Sequence, residues 1–247
     1  MQDWLDYFQA RRATRPHFSF TPPALSRMTE QALVHSLRRF ELGESGDGNR
    51  LKAHAAALGE PAYEQAIALF IQEEQDHARW LGELLATLNV SPLTWHWSDA
   101  LFVWLRRRMG LKTELCVLLV AEMIAKRYYA ALRAGIPDEE CQRLFAQICL
   151  DEEGHLAFHT AYLTEAFRPW SAPACLMIWL LWWGFYRAAC LAVLLDHRAI
   201  LKATGVSPAR FWSDTGRIFA GISGQIFGGE GVAVCTGTPH LPEPQSI

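Results

Sequence analysis

The chain has 247 residues, 51% of them apolar and 20% charged, with a net charge of −3. So apolar a composition excludes disorder for most of the chain, and 23 Lys and Arg against 26 Asp and Glu exclude a strongly basic nucleic-acid binder. Ten Trp leave three uses for the aromatic bulk: a thick core, an apolar ligand site, or a membrane-facing surface.

The predicted elements are almost all helical, so the expected class is all-α. Residues 1–12 form a short amphipathic segment, followed by a Pro-containing stretch to Pro23. A helix starts near Ser26, with Leu33, Val34, Leu37 and Phe40 on helical spacing. The run Gly43-Glu-Ser-Gly-Asp-Gly-Asn interrupts it, and 51–58 resumes as helix. Gly59-Glu60-Pro61 is a stop and a start, because Gly suits the position after a helix end and Pro the first turn of the next. The second long helix runs from there to about Leu88. Residues 89–111 make a long connection with Ser91-Pro92, three Trp, a short basic helix and the patch Arg106-Arg-Arg108. A third long helix spans about Leu111–Ala134, Gly135-Ile-Pro137 breaks the chain, and a fourth runs to about Phe167. A very apolar helix over 174–195 and a shorter one around 208–220 follow, and the last residues are Gly- and Pro-rich. The expected domains are a helical extension (1–25), a bundle with added helices (26–222) and a flexible tail (223–247).

Two motifs carry the chemistry. Glu74-Gln-Asp-His77 lies in the second long helix and Glu152-Glu-Gly-His155 in the fourth. A spacing of three puts both side chains on one helix face, close enough to bind one metal ion or to bridge two. One such motif is weak evidence; two, each central in a long amphipathic helix, are much stronger. A di-metal carboxylate bundle needs one more Glu from each of the other two helices. Glu122 stands in the apolar run Cys116-Val-Leu-Leu-Val-Ala-Glu122, where a carboxylate must be paired, protonated or metal-bound. The first helix offers Glu41 and Glu44. Glu44 and Glu74 are separated by 30 residues, as are Glu122 and Glu152, so Glu44 is favoured, with Glu41 the alternative ligand or a group behind it.

The helices are joined by a short turn, a long crossover and a short turn. With its six residues, residues 26–167 resemble the ferritin-like di-iron carboxylate superfamily, a four-helix bundle with one long crossover. The resemblance implies a ligand set of Glu44, Glu74, His77, Glu122, Glu152 and His155. It implies two iron ions, with two manganese or one of each suited to the same donors. Asp151-Glu-Glu-Gly-His155-Leu-Ala-Phe-His159 looks more like the oxygenase and hydroxylase branches than the ferritins. The p-aminobenzoate N-oxygenase branch carries a further His one turn before the last Glu, where this chain has Ile148. The implied activity is oxidation of a small, apolar organic substrate with O₂ as co-substrate and a separate electron donor. The runner-up is a ferroxidase or metal-storage protein without organic substrate, and a third reading is a membrane-associated helical interaction protein whose motifs are accidental.

The remaining residues have milder readings. Paired acids at Glu73 and Asp76, and at Asp151 and Glu153, allow a solvated acidic face, while Asp76 and Asp151 are also candidates to orient His77 and His155. His159, one turn beyond His155, reads more as a group behind the metal or in the core than as a third nitrogen ligand. Tyr129 reads as packed. His35, His54 and His96 have no metal spacing. The run 43–49 is expected to border a substrate or O₂ entrance. Six Cys without a CxxC pair, most of them in apolar helical runs, behave as small hydrophobes and suit a cytoplasmic address. The acidic start Met1-Gln-Asp-Trp-Leu-Asp does not read as a signal peptide. For the uncharged run 169–186, ending at Arg187, a helix buried against the bundle is favoured over membrane association, because a span would put Arg187 in hydrocarbon. A small-molecule substrate and a homodimer are the other expected partners, with no nucleic acid.

Overall fold

The computed structural model describes residues 1–96 and 110–228. Among these residues all regular structure is helical: α1 (Gln2–Ala13), α2 (Arg27–Glu44), α3 (Asn49–Ala57), α4 (Pro61–Thr87), α5 (Leu111–Gly135), α6 (Glu139–Phe167), α7 (Ala172–Asp196), α8 (Arg198–Ala203) and α9 (Pro208–Phe227). The expected short basic helix and Arg106–Arg108, and the tail from 229 onward, lie outside the described residues.

The boundaries follow local chemistry. The Ser26 hydroxyl caps α2 by accepting the Thr29 N–H at 3.2 Å. Pro61 opens α4 after Gly59, whose φ is 69°. Ser207 caps α9 through the Arg210 N–H at 3.2 Å, with Pro208 in its first turn. One boundary corrects the sequence reading: α2 is not interrupted at Gly43 but continues through Glu44, and the break is confined to the turn before α3. A single Gly costs a helix about 1 kcal/mol, which the surrounding turns can bear. The clustered Gly46, Asp47 and Gly48 end it.

The chain forms two compact units, Met1–Leu111 with Ile136–Leu144, and Lys112–Gly135 with Phe145–Ile247. In the first unit α4 is the centre, packed by α1, α2 and α3. Its buried stripe runs Tyr63, Ala66, Ile67, Phe70, His77, Trp80, Leu81 and Leu84, the spacing of one helix face. Leu33 and Leu37 of α2, Phe8 of α1 and Leu51 of α3 complete the core.

In the second unit the buried stripes of α5 (Leu115, Leu119, Glu122, Tyr129, Leu132) and α6 (Phe145, Ile148, Glu152, His155, His159, Leu163) each carry polar groups in mid-course. The α7 helix lies on this unit along one seam, Trp182, Tyr186 and Cys190. The Trp182 indole donates to the Cys116 carbonyl at 2.6 Å, and the Tyr186 ring stacks on Phe219 of α9. The expectation of a buried apolar helix is therefore corrected: only 22% of the most apolar part of α7 is buried. Its partners reach one seam alone, and a helix apolar on all sides gives no sign in its sequence of which side is covered.

Candidate metal centre

In the first unit α2 delivers Glu44 from its last turn, and α4 delivers Glu74 and His77 from the middle of its core-facing stripe. His77 Nδ1 lies 3.9 Å from Glu44 Oε2 and 3.8 Å from Glu74 Oε1. His77 is fully buried, Glu44 nearly so, and Glu74 keeps some solvent contact. Burial, then the adjacent Glu74 carboxylate, push the Glu44 carboxyl up to about 7 despite the opposing pull of His77. Glu41, one turn earlier, is buried and its carboxyl also rises through burial, but it does not join this cluster.

In the second unit the same arrangement recurs. Glu122 of α5 and Glu152 and His155 of α6 are all buried, with His155 Nδ1 3.7 Å from Glu122 Oε2 and 4.0 Å from Glu152 Oε2. His159 adds a second imidazole, its Nε2 3.7 Å from Glu122 Oε1. Glu122 thus shows one oxygen to each imidazole. Tyr129 is buried between Tyr128 and Phe145.

Each triad offers two carboxylates and an imidazole, with donor atoms within 4.8 Å of one another. Donors about 2.1 Å from a central ion lie roughly 3 Å apart when adjacent and about 4 Å when opposite, so this spacing fits a cation. The donors also fit: oxygen and imidazole nitrogen suit iron or manganese, with no thiolate to select a softer ion. Burial pushes the nearby thiol of Cys149 and that of Cys116 up to about 12, which keeps both as neutral packing groups.

The flanking acids are not a solvated face. Glu73 and Asp151 are buried, and only Glu153 is well exposed, pairing with Lys126 at 3.0 Å. Asp151 accepts from Gln147 at 2.8 Å. Asp76 does not orient His77; it accepts from Arg12 at 3.0 Å and Arg15 at 3.1 Å. Although burial alone would raise it, the Arg79 and Arg15 guanidiniums hold the Asp76 carboxyl below its ordinary range. Arg15 also lies 3.5 Å from Glu73 and stacks over Trp80, and Arg11 lies 3.7 Å from Glu73. Sequence reasoning missed this network; its trace was the basic cluster Arg11, Arg12 and Arg15 at the end of α1 and just beyond it, facing acids that alternate with the ligand pair on α4. A cleft of about 460 Å³ in the first unit is lined by Glu30, His35, Arg38, Arg39 and His96 among others and includes none of the six residues.

No protein-family model, curated protein or solved structure matches this chain.

Proposed function

We propose that the protein is a ferritin-like non-heme di-iron oxidase or oxygenase. One ion would be held by Glu44, Glu74 and His77, the other by Glu122, Glu152 and His155, four Glu and two His in all. The observation that carries this reading is the recurrence of one donor geometry: Glu, a second Glu 30 residues on, and a His three further, with Nδ1 3.7–4.0 Å from both carboxylates each time. Repeated burial of two acids is costly unless they take up protons or a cation compensates, and a cation compensates both acids of each triad at once.

When bound and reduced, the metal pair supplies electrons to O₂. The chain's own contribution is to orient the imidazoles, neutralise the ions with four carboxylates, and keep water out with the apolar residues on either side of each triad in its helix. Glu74, the most accessible of the six side chains, marks the solvent-facing edge of its triad.

The test is anaerobic loading of the full chain with ferrous iron, followed by O₂ and candidate apolar substrates. Two irons per chain and substrate-accelerated O₂ consumption are expected. Glu74→Ala and His155→Ala are each expected to lose stoichiometric binding. Retention of two irons and full turnover by both would sink the assignment. A hollow multimer that takes up iron far beyond two per chain would favour storage instead.

A further inference from the structure

The α7 helix ends the chain's burial on one side and begins something else on the other. At 100° per residue, its buried seam of Trp182, Tyr186 and Cys190 occupies a narrow sector, while Leu176, Met177, Leu180, Leu181, Trp183, Leu191 and Leu195 fan over roughly half of the circumference. Leu180 and Leu181 are 52% and 70% exposed. Contiguous exposure of this kind marks a contact surface.

One charge stands in that arc. Arg187 projects among the leucines, its guanidinium 5.0 Å from the Trp183 ring centroid and 4.2 Å from that of Trp212. Among the described residues it has no carboxylate partner, and the helix has no acid before Asp196 at its end. The segment from α7 to the end of α9 is cationic as well: residues 172–228 carry five Lys and Arg against two Asp, in a chain whose net charge is −3.

We propose that this face of α7 docks on an anionic phospholipid membrane surface. The leucines and Trp183 enter the acyl boundary, and Arg187, held between two indoles, meets a headgroup phosphate. A second copy of the chain fits less well. A two-fold contact through the arc would bring Arg187 toward its own counterpart, and none of the arc residues of either copy is an acid. A bilayer surface instead offers hydrocarbon beside phosphate, the order of chemistry that Arg187 and its neighbours present. A full span is disfavoured, since α9 packs along the seam and turns Arg210 and Arg217 outward.

The experiment is flotation of the full chain with vesicles of phosphatidylcholine alone and of phosphatidylcholine with one third phosphatidylglycerol, with melting followed by circular dichroism. Binding is expected to be at least tenfold tighter to the anionic vesicles. Leu180→Asp with Leu181→Asp should lose at least tenfold more, with helicity and melting unchanged. Arg187→Gln should erase most of the preference for anionic lipid, and Arg187→Lys should keep it. Failure of the unaltered chain to float with either vesicle overturns the proposal. So does a solution dimer, without vesicle binding, that the double variant converts to monomer. Equal binding to both vesicles overturns the role given to Arg187.

Discussion

His159 and Leu81 occupy the same place in the two triads, four residues after His155 and His77. Both are fully buried, but one is an imidazole 3.7 Å from Glu122 and the other a hydrocarbon. The two triads are therefore chemically unequal, and a group that fixes a ligand carboxylate typically changes metal affinity 10–100-fold. His159→Leu, which copies the first triad into the second, should weaken one of two ions about tenfold or more and leave the other unchanged. His159→Gln should restore much of it. A manganese titration followed by paramagnetic resonance distinguishes the two steps, and equal loss at both would count against a local role. Glu44 gives a second prediction, for the metal-free protein. Its folded carboxyl titrates near 7, above the unfolded value of 4.5. Between those values the folded state holds more protons than the unfolded one, so stability falls as pH rises through this window and its loss is complete above about 7. Glu44→Gln should flatten that decline in a series of thermal melts. The spacing pattern in the sequence favoured Glu44 over Glu41, and the structure places Glu44, not Glu41, beside His77. Sequence gave no direction for Asp76, because neighbouring positions on a helix point apart and their partners belong to other helices.

At the scale of elements, the segment just after α1 and the turn after α2 hold the first triad's helices in register. Arg15 reaches both acids that alternate with Glu74 and His77 on α4. Its removal leaves Glu73 buried with less compensation, and breaking such a pair from one side costs about 3–5 kcal/mol. Arg15→Ala should therefore destabilise the chain by roughly 2–4 kcal/mol in urea melts, and adding Glu73→Gln should recover part of the loss. Full additivity of the two changes would show that they do not interact. The turn is equally constrained. Gly48 has φ 63°, and a Cβ there would meet Ile71 of α4 at 2.5 Å. Gly48→Ala should cost about 1–3 kcal/mol, from left-handed backbone and the displaced Ile71 together. The long helices were legible in sequence to within a few residues because caps, Pro and Gly mark their ends; α9 alone runs well past its expected end, to Phe227. What sequence misplaced was coverage. α7 is apolar on every side, so periodicity could not tell a buried helix from one with half its surface bare.

For the whole molecule, the sequence conveyed an all-helical chain and a repeated donor pattern, since both are local in sequence. It did not convey the division into two compact units, because that depends on contacts between distant segments: α6 belongs to one unit through Leu144 and to the other from Phe145. One triad lies on segments of the first unit, Glu44 with Glu74 and His77, and the other on segments of the second. Whether the two ions act together is therefore testable by linkage rather than by spectra alone. At free metal a hundredfold above its dissociation constant, each ion adds about 2.7 kcal/mol to the folded state, and two together should raise the melting midpoint by roughly 10–20 °C in a chain of this size. If the triads act as one centre, the two ions would be coupled, and His77→Ala should weaken the ion held by Glu122, Glu152 and His155 as well as its own. If they are separate mononuclear sites, His77→Ala leaves the second ion at full affinity and the midpoint retains half of its rise. Metal titration of His77→Ala beside His155→Ala, scored for affinity at the remaining ion, decides between a di-metal oxidant and two independent cations.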